Sequence, residues 1–246
     1  MNRSTDLDPS APLYKEVKRL VTQELASGEW RPGDALPSET ELAKRYGVSI
    51  GTVRRAIDEL VAESVVIRHQ GRGTFVASHS RRRLLFYFFH IVPRGREKEY
   101  PNTRTLAFIR GDASKEEAQK LRITEGDPVH RIRNLLYLSD APVIVDDIVL
   151  SHAQFPDLNK KIFTERENTI YHMYENRYGL SVLRTTERLR ATLADTKVAK
   201  LLGVRKGIPL LEISRVALSY HNVPVELRHS LVSTEHHEYF SDLARK

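Results

Sequence analysis

The stretch YGVSIGTVRRAIDEL, residues 46–60, decides the fold of the first part of this chain. It joins a glycine turn at Gly47 to a short segment whose apolar residues recur at helical spacing: Val53, Ala56, Ile57 and Leu60. That spacing predicts a helix with one buried side, and Ser49 is placed to cap its first turn. Arg54 and Arg55 lie off the apolar side, which leaves them available to a partner.

A second short helix is predicted just before this stretch. Ser38 and Glu41 are spaced as a capping box, and Gly47 tolerates the left-handed conformation that ends the helix. Two short helices joined by a glycine-containing turn form a helix-turn-helix, whose second member enters the DNA major groove. Gly51 and Thr52 are small enough for the start of that helix to approach a phosphate or a base edge. Its two arginines offer forked donors that match phosphate or guanine.

The segment VVIRHQGRGTFVA, residues 65–77, is predicted to form a hairpin, because two β-rich runs flank a Gly-Arg-Gly tip. Directly after a helix-turn-helix, such a hairpin acts as a wing. Gly71 and Gly73 let the backbone approach the minor groove, and Arg72 suits the negative potential found there. The tripeptide alone usually marks only a turn, so the prediction depends on its position after the helices.

The distribution of charge agrees with this prediction. The chain carries a net charge of +7, and residues 44–83 hold nine Lys/Arg against three Asp/Glu. Residues 1–43 hold five against eight. Most basic stretches are simply solvated faces, but this excess coincides with the predicted DNA-binding motif and therefore favours a polyanionic partner.

Residues 11–77 resemble the winged-helix domain of GntR-type bacterial transcription regulators. The resemblance covers the landmarks PG-x-x-LPSE (32–39) and GRGTFV (71–76). Family members often carry arginine where this chain has Thr40 and Ile50, both typical DNA contacts, so the usual operator sequence does not carry over. Pattern and resemblance together give the expected DNA contacts: Ser38, Thr40, Lys44, Arg45, Ser49, Gly51, Thr52, Arg54, Arg55, Arg68, Gly71, Arg72 and Gly73.

Length and composition set further limits. The 246 residues allow two ordinary domains, predicted as a DNA-binding domain (1–77), a linker (78–83) and a second domain (84–246). The chain has no cysteine, which excludes disulfides, thiolate metal sites and a cysteine nucleophile. The N-terminus lacks the apolar core of a secretory signal, and no run approaches the roughly 18 apolar residues of a membrane span. We expect a cytoplasmic protein.

The second domain contains a repeat. ASKEEAQKLRITEGDPVHRIR (113–133) aligns, 81 residues on, with ADTKVAKLLGVRKGIPLLEIS (194–214). Each copy predicts a capped helix, a glycine turn and a strand, followed by a second strand after a further turn. Two such units predict an α+β fold, an antiparallel sheet with helices on one face. Between them, NTIYHMYENRYG (168–179) predicts an amphipathic helix that ends at Gly179.

The two copies differ at one pair of positions. The first has Arg131 and Arg133 where the second has Glu212 and Ser214. Residues i and i+2 of a strand share a face, so two guanidinium groups lie side by side. They repel each other unless an anion or carboxylates lie between them. An anion site and an exposed strand face paired with Asp or Glu are both compatible with the sequence.

Residues 84–244 resemble the UTRA effector-binding domain of HutC-like GntR regulators, which has a chorismate-lyase-like fold and usually dimerises. The resemblance implies that Arg131 and Arg133 bind the anionic group of an effector. It also implies the remaining ligand contacts: Asp146, Thr169, Tyr171 and Glu226. Sugar-phosphate-binding relatives often carry a Ser/Thr-bearing loop where this chain has LLFYFFHIVPRGREKEYP (84–101). An organic acid or an aromatic anion therefore fits as well as a sugar phosphate.

Two other classes of function have less support in the sequence. An enzyme lacks support, since the sequence has no G-x-S-x-G, P-loop, H-E-x-x-H or dinucleotide motif. A metal-responsive regulator would depend on His152, His236, His237, Glu238 and the Asp146–Asp147 pair, but adjacent histidines diverge and chelate poorly. The sequence thus predicts, without any cofactor, a homodimeric regulator that binds an inverted-repeat DNA operator and a small anionic metabolite.

Overall fold

The computed structural model describes residues 11–78 and 87–241, which form two compact units divided between residues 79 and 80. The predicted linker, 78–83, lies outside the described residues except for Ser78. None of the helices in these two ranges is both long and apolar enough to cross a membrane.

The first unit consists of three helices and a hairpin: α1 (Leu13–Ala26), α2 (Glu39–Tyr46), α3 (Ile50–Ala62), β1 (Val66–His69) and β2 (Gly73–Val76). The capping box predicted before α2 is present, with the Ser38 N–H donating to the Glu41 carboxylate at 2.8 Å. Gly47 ends α2 at φ 66°, the left-handed conformation that glycine adopts without strain. The apolar residues predicted for α3 are all buried against α1 and α2. The helix-turn-helix and its hairpin are therefore confirmed.

The second unit is an α+β fold. Its strands are β3 (Ile91–Pro93), β4 (Asn102–Asp112), β5 (Pro128–Leu138), β6 (Ala141–Ser151), β7 (Arg184–Leu193), β8 (Pro209–Leu218), β9 (Pro224–Ser233) and β10 (His237–Tyr239). Its helices are α4 (Lys115–Leu121), α5 (Lys160–Thr164), α6 (Ile170–Tyr178) and α7 (Thr196–Leu202), with a short 3-10 turn at Tyr220–Asn222. Six strands form one antiparallel sheet in the order β4-β5-β6-β9-β8-β7, and β3 pairs with β10.

The repeat explains the symmetry of this sheet, because each copy, with the strand before it and the strand after it, accounts for three neighbouring strands and one helix. The helices of the two copies, α4 and α7, pack on the same face, as predicted. The helix between the copies, α6, packs on the opposite face, where Tyr171 and Tyr174 meet Ile132 and Ile148. The central strands are apolar on both faces, so both faces require a cover. The structure thus adds α6 to the face that the repeat leaves open.

Candidate DNA interface and effector site

The start of α3 is built for close approach to a partner. Ser49 caps the helix, its hydroxyl accepting the Thr52 N–H at 3.2 Å. Ile50 is 43% exposed and Gly51 is exposed, so this end of the helix is open to solvent among residues 11–78. Arg54, one turn further on, is 62% exposed at its side chain and pairs with Glu39 at 2.9 Å. This helix end therefore presents backbone N–H groups and one extended guanidinium to a partner.

Glu39, at the start of α2, holds two of the predicted DNA-contacting arginines in place. It pairs with Arg54 and, at 3.0 Å, with Arg68 of the wing strand β1. Arg68 also pairs with Asp58 at 2.8 Å. Ion pairs between exposed side chains contribute only about 0–1 kcal/mol. Both arginines can therefore exchange a carboxylate for a phosphate at little cost to the fold.

Arg45 and Arg55 have additional contacts within the unit. Arg45 pairs with Glu24 at 2.8 Å and with Glu29 at 2.5 Å. The Arg55 guanidinium lies 3.9 Å from the centre of the Tyr14 ring, a cation–π contact with α1. These contacts tie α2 and α3 to the preceding helix, a role that the sequence did not predict. Their part in DNA binding stays a prediction.

The wing has the predicted form. Its strands pair with His69 opposite Gly73, and both glycines of the tip have positive φ, 72° at Gly71 and 107° at Gly73. Arg72 between them is exposed, and no contact within residues 11–78 holds its side chain. All thirteen predicted DNA contacts lie in this unit, where twelve are exposed and Thr52 is half-buried. None of them is needed to fill the core.

The six predicted effector contacts fall on two opposite faces of the sheet, so they cannot line one pocket. Arg133 lies directly opposite Asp147 on the neighbouring strand, whereas Asp146 lies opposite Asn134. Since successive residues of a strand point to opposite faces, Asp146 is turned away from both arginines. The role of these residues in effector binding stays a prediction, and the structure shows a division of the six between two faces. The cause of this division is an irregularity in the β5–β6 hairpin, where Val143 is an extra residue that shifts the pairing by one.

Arg131 and Arg133 are each paired with a carboxylate. Arg131 donates to Glu117 of α4 at 2.7 Å and to the Asp112 carbonyl at 2.8 Å. It crosses Gly111 so closely that a Cβ there would lie 2.3 Å from a guanidinium nitrogen. Arg133 donates two hydrogen bonds to Asp147, at 2.7 and 2.8 Å, and these bonds to the carboxylate raise the pKa of Arg133. This arrangement matches the second alternative, an exposed strand face paired with carboxylates.

The opposite face holds a buried cluster of charged and phenolic groups beneath α6. Arg228 forms a two-point pair with Glu226, at 2.9 and 3.0 Å, and donates to Asp146 at 3.0 Å. Tyr171 and Tyr174 of α6 donate to the same Glu226 carboxylate, at 3.2 and 2.7 Å. The structure thus brings together three of the predicted contacts, Asp146, Tyr171 and Glu226, and adds an arginine that the sequence did not single out.

A second arginine, Arg215 of β8, extends this cluster. It lies directly opposite Arg228 on the neighbouring strand. The Glu187 carboxylate of β7 accepts from Arg215 at 2.6 Å and from Tyr239 at 2.5 Å. The sequence did contain a signal for the burial of Arg215, because this residue shares a strand face with the apolar Ile213 and Ala217. No such local signal linked it to Arg228, since their contact depends on the register of two strands.

The surroundings of Glu226 and Tyr171 shift the pKa values of both groups so that Glu226 stays ionised and Tyr171 stays neutral near pH 7. Burial opposes the charge on Glu226, but the Arg228 guanidinium outweighs it and holds the pKa of this carboxyl below its ordinary value. Burial, reinforced by the Glu226 charge, raises the pKa of Tyr171 to about 12. A cavity of about 20 Å³ lies beside Asp146, Arg215 and Arg228. That volume is the size of a water molecule.

Thr169, the last predicted effector contact, has a structural task. It is buried and caps α6, its hydroxyl accepting the His172 N–H at 3.0 Å. It therefore positions the helix that carries Tyr171 and Tyr174. As for metals, no three His, Asp or Glu side chains within residues 11–78 and 87–241 are grouped to hold an ion.

A winged helix-turn-helix joined to an α+β unit with a buried charged cluster defines a two-domain DNA-binding transcription regulator. Residues 13–76 match the family described as "Bacterial regulatory proteins, gntR family", and residues 96–238 match the UTRA domain. The chain belongs to the GntR family and carries a C-terminal UTRA domain. It is a DNA-binding regulator of the repressor type controlled by effector binding, and not an enzyme.

Several known proteins are similar to this chain. The histidine utilization repressor of Pseudomonas aeruginosa is 33% identical over 83% of this chain and 81% of its own length. MngR, a mannosyl-D-glycerate transport/metabolism system repressor of Escherichia coli, is 28% identical over 82% of this chain and 83% of its own length. The crystal structure of the ligand-binding domain of a GntR-family regulator from Bordetella bronchiseptica is 32% identical, with a TM-score of 0.60, over 64% of this chain and 97% of that domain.

Proposed function

We propose that this protein is a cytoplasmic homodimeric repressor that binds an inverted-repeat operator and responds to a small anionic metabolite. One winged helix reads only a few base pairs, and two-fold proteins match palindromic sites, which supports a dimer on an inverted repeat. The exposed start of α3, with Arg54 and the wing residue Arg72, forms the DNA-reading surface of each subunit. The dimer contacts come mainly from the second unit.

The observation that carries the effector site is the buried cluster of Arg215, Arg228, Asp146, Glu187 and Glu226. Burying an ion costs several kcal/mol even when a partner offsets part of it. Perturbed, buried ionisable groups therefore concentrate at functional sites. We place the effector on this face, at α6, rather than beside Arg131 and Arg133, whose ion pairs are partly exposed to solvent.

The names of the two relatives refer to different metabolites, histidine and mannosyl-D-glycerate. The effector of this chain therefore has to be found by experiment. A thermal-shift screen of sugar phosphates, amino acids, and aromatic and dicarboxylic acids covers the chemistry that the sequence leaves open. The compound found should release the protein from an operator selected from random DNA. A screen in which stabilising compounds never affect DNA binding would contradict effector control.

Arg133→Ala distinguishes the two faces. We expect this variant to bind the effector and the operator as the wild type does. Its free energy of unfolding should fall by less than about 1 kcal/mol, because Arg133 is 46% exposed and its pair with Asp147 is solvent-screened. Calorimetric titration and urea denaturation measure the two quantities. Loss of effector binding with retained DNA binding would move the site to the Arg131 face.

The dimer is tested by light scattering of the full-length protein at micromolar concentration. We expect a mass twice that of the 28.3 kDa chain, both alone and with operator DNA. Two-fold pairing should also make a half-site bind far more weakly than the complete inverted repeat, since the second winged helix adds contacts on the same DNA. A monomer under both conditions, or equal affinity for half-site and full site, would be incompatible with the proposal.

A further inference from the structure

Arg166 is an unusual arginine in the second unit. It lies between α5 and α6, three residues before the cap of α6, and its side chain is half-buried. Its guanidinium lies 4.9 Å from the centre of the Phe163 ring and donates to the Phe163 carbonyl. Its Nε is buried and has no hydrogen-bond acceptor among the residues that the structure describes. Within those residues no carboxylate lies at ion-pair distance from Arg166.

Unlike Arg166, the nearby arginines Arg215 and Arg228 have carboxylate partners. Arg215 pairs with Glu187, and Arg228 pairs with both Glu226 and Asp146. Burial, the largest influence on Arg166, lowers its pKa, and the nearby positive charge of Arg228 lowers it further. A buried cation without a counter-ion destabilises a fold unless a ligand supplies the missing charge.

The side chain of Arg166 also lines a cavity. The cavity lies beside α5 and α6 and has a volume of about 430 Å³, within the range of small-molecule sites. Asn168, His172 and Asn176 contribute polar groups to its wall. The Asn176 amide nitrogen and His172 Nε2 lie 2.8 Å apart and are joined by a hydrogen bond within this wall. The wall also carries Lys161 and Arg177 and the carboxylates of Glu165 and Glu167. Together with Arg166 it holds three cationic side chains against two carboxylates, a balance of charge that favours an anion.

We infer that Arg166 is the anion-binding residue of the effector site, an inference that rests on the proposed function. The effector occupies the cavity beside α5 and α6, and its carboxylate or phosphate pairs with the Arg166 guanidinium. This location also explains how an effector can act on the buried cluster, whose own cavity holds no more than a water molecule. An anion at Arg166 changes the field at Tyr100, Tyr174 and Arg228, the groups that interact electrostatically with it.

The test uses full-length protein and two defined probes, inorganic phosphate and acetate, each titrated against sodium chloride at equal ionic strength. Thermal shift is measured for the wild type, for Arg166→Gln and for Arg177→Gln. Arg177 is the matched control, because it lines the same cavity but is exposed and already paired with Asp157. We expect at least one probe to raise the Tm of the wild type. Its half-saturating concentration should rise about tenfold or more in Arg166→Gln, as loss of a charge-assisted contact requires, and less than twofold in Arg177→Gln. Phosphate and acetate together distinguish a phosphate ligand from a carboxylate ligand.

Arg166→Gln also provides its own folding control. Without probe, removal of an unpaired buried charge should leave Tm unchanged or raise it by about 2–4 °C. A Tm lowered by more than about 4 °C would exceed the loss of its contacts with Phe163 and would mean that Arg166 has a counter-ion in the protein, which overturns the inference. Equal probe affinity in the wild type and Arg166→Gln, or an equal loss in both variants, overturns it as well.

Release of the operator by the effector is measured to distinguish a failure of this inference from a failure of the proposed function. If the screened effector releases DNA from Arg166→Gln and from the wild type at the same concentration, effector control holds and Arg166 is not the anion-binding residue. If the probes protect the wild type through Arg166 but no anion in the screen affects DNA binding, the anion site holds and effector control by an anion fails.

Discussion

Arg228→Ala is expected to lower the free energy of unfolding of the second unit by about 3–5 kcal/mol, the usual effect of removing one partner from a buried ion pair. The variant leaves Glu226, which is fully buried, and Asp146, which is 2% exposed, without their shared cation. Urea denaturation followed by far-UV circular dichroism measures this loss. Trp30, the single tryptophan, lies in the first unit, so its fluorescence transition should stay in place.

Arg133→Ala is the matched control for this prediction. It removes an equivalent two-point pair from β5 on the opposite face of the sheet, where the side chains of Arg133 and Asp147 are 46% and 38% exposed. If Arg228→Ala cost no more than Arg133→Ala, the cluster beneath α6 would not be a buried charge network. The pH dependence gives a second check. The folded protein holds the pKa of Glu226 below its ordinary value of 4.5. Its ionised carboxylate therefore stabilises the fold at neutral pH, and this stability is lost as pH falls below 4.5. The difference between wild type and variant should shrink over the same range.

The first unit was predictable from the sequence because its determinants are local. The capping box at Ser38, the left-handed Gly47 and the glycines of the wing each act within a few residues. The apolar spacing of α3 adds one buried side. What the sequence did not show is that Arg45 and Arg55 also contact α1, because that contact joins residues more than fifteen positions apart.

The effector site was harder to predict for an identifiable reason. The sequence correctly placed Arg131 and Arg133 on one strand face. A regular two-residue hairpin at Ser139 and Asp140 would place Asp146 opposite Arg133. The extra residue Val143 moves Asp147 into that position instead. A single bulge thus turns a polar residue to the other face of the sheet, and no local feature of the sequence marked it.

Arg54→Ala is expected to weaken binding to the selected operator by about 1–3 kcal/mol if Arg54 reads a base. The variant should also lose the ability to discriminate between bases at one position of the operator. The cost to folding should be small, because the side chain is 62% exposed and has only the Glu39 pair to lose. Fluorescence anisotropy with the operator and with a set of single-base variants measures both affinity and discrimination.

Two further variants are compared with Arg54→Ala: Arg72→Ala tests the wing, and Arg19→Ala is the control. Arg72, at the tip of the wing, should contact the minor groove or a phosphate, so its removal weakens binding about equally for every sequence. It should also reduce the slope of log affinity against log salt by about 1. Arg19 belongs to α1, pairs with Glu16 and lies outside α3 and the wing, so Arg19→Ala should bind DNA normally. Unchanged operator binding by both Arg54→Ala and Arg72→Ala would show that α3 and the wing are not the DNA-reading surface. If Arg54→Ala instead lost affinity evenly across all base variants, Arg54 would contact phosphate, and the reading of bases would pass to the other exposed residues at the start of α3, Ser49 and Thr52.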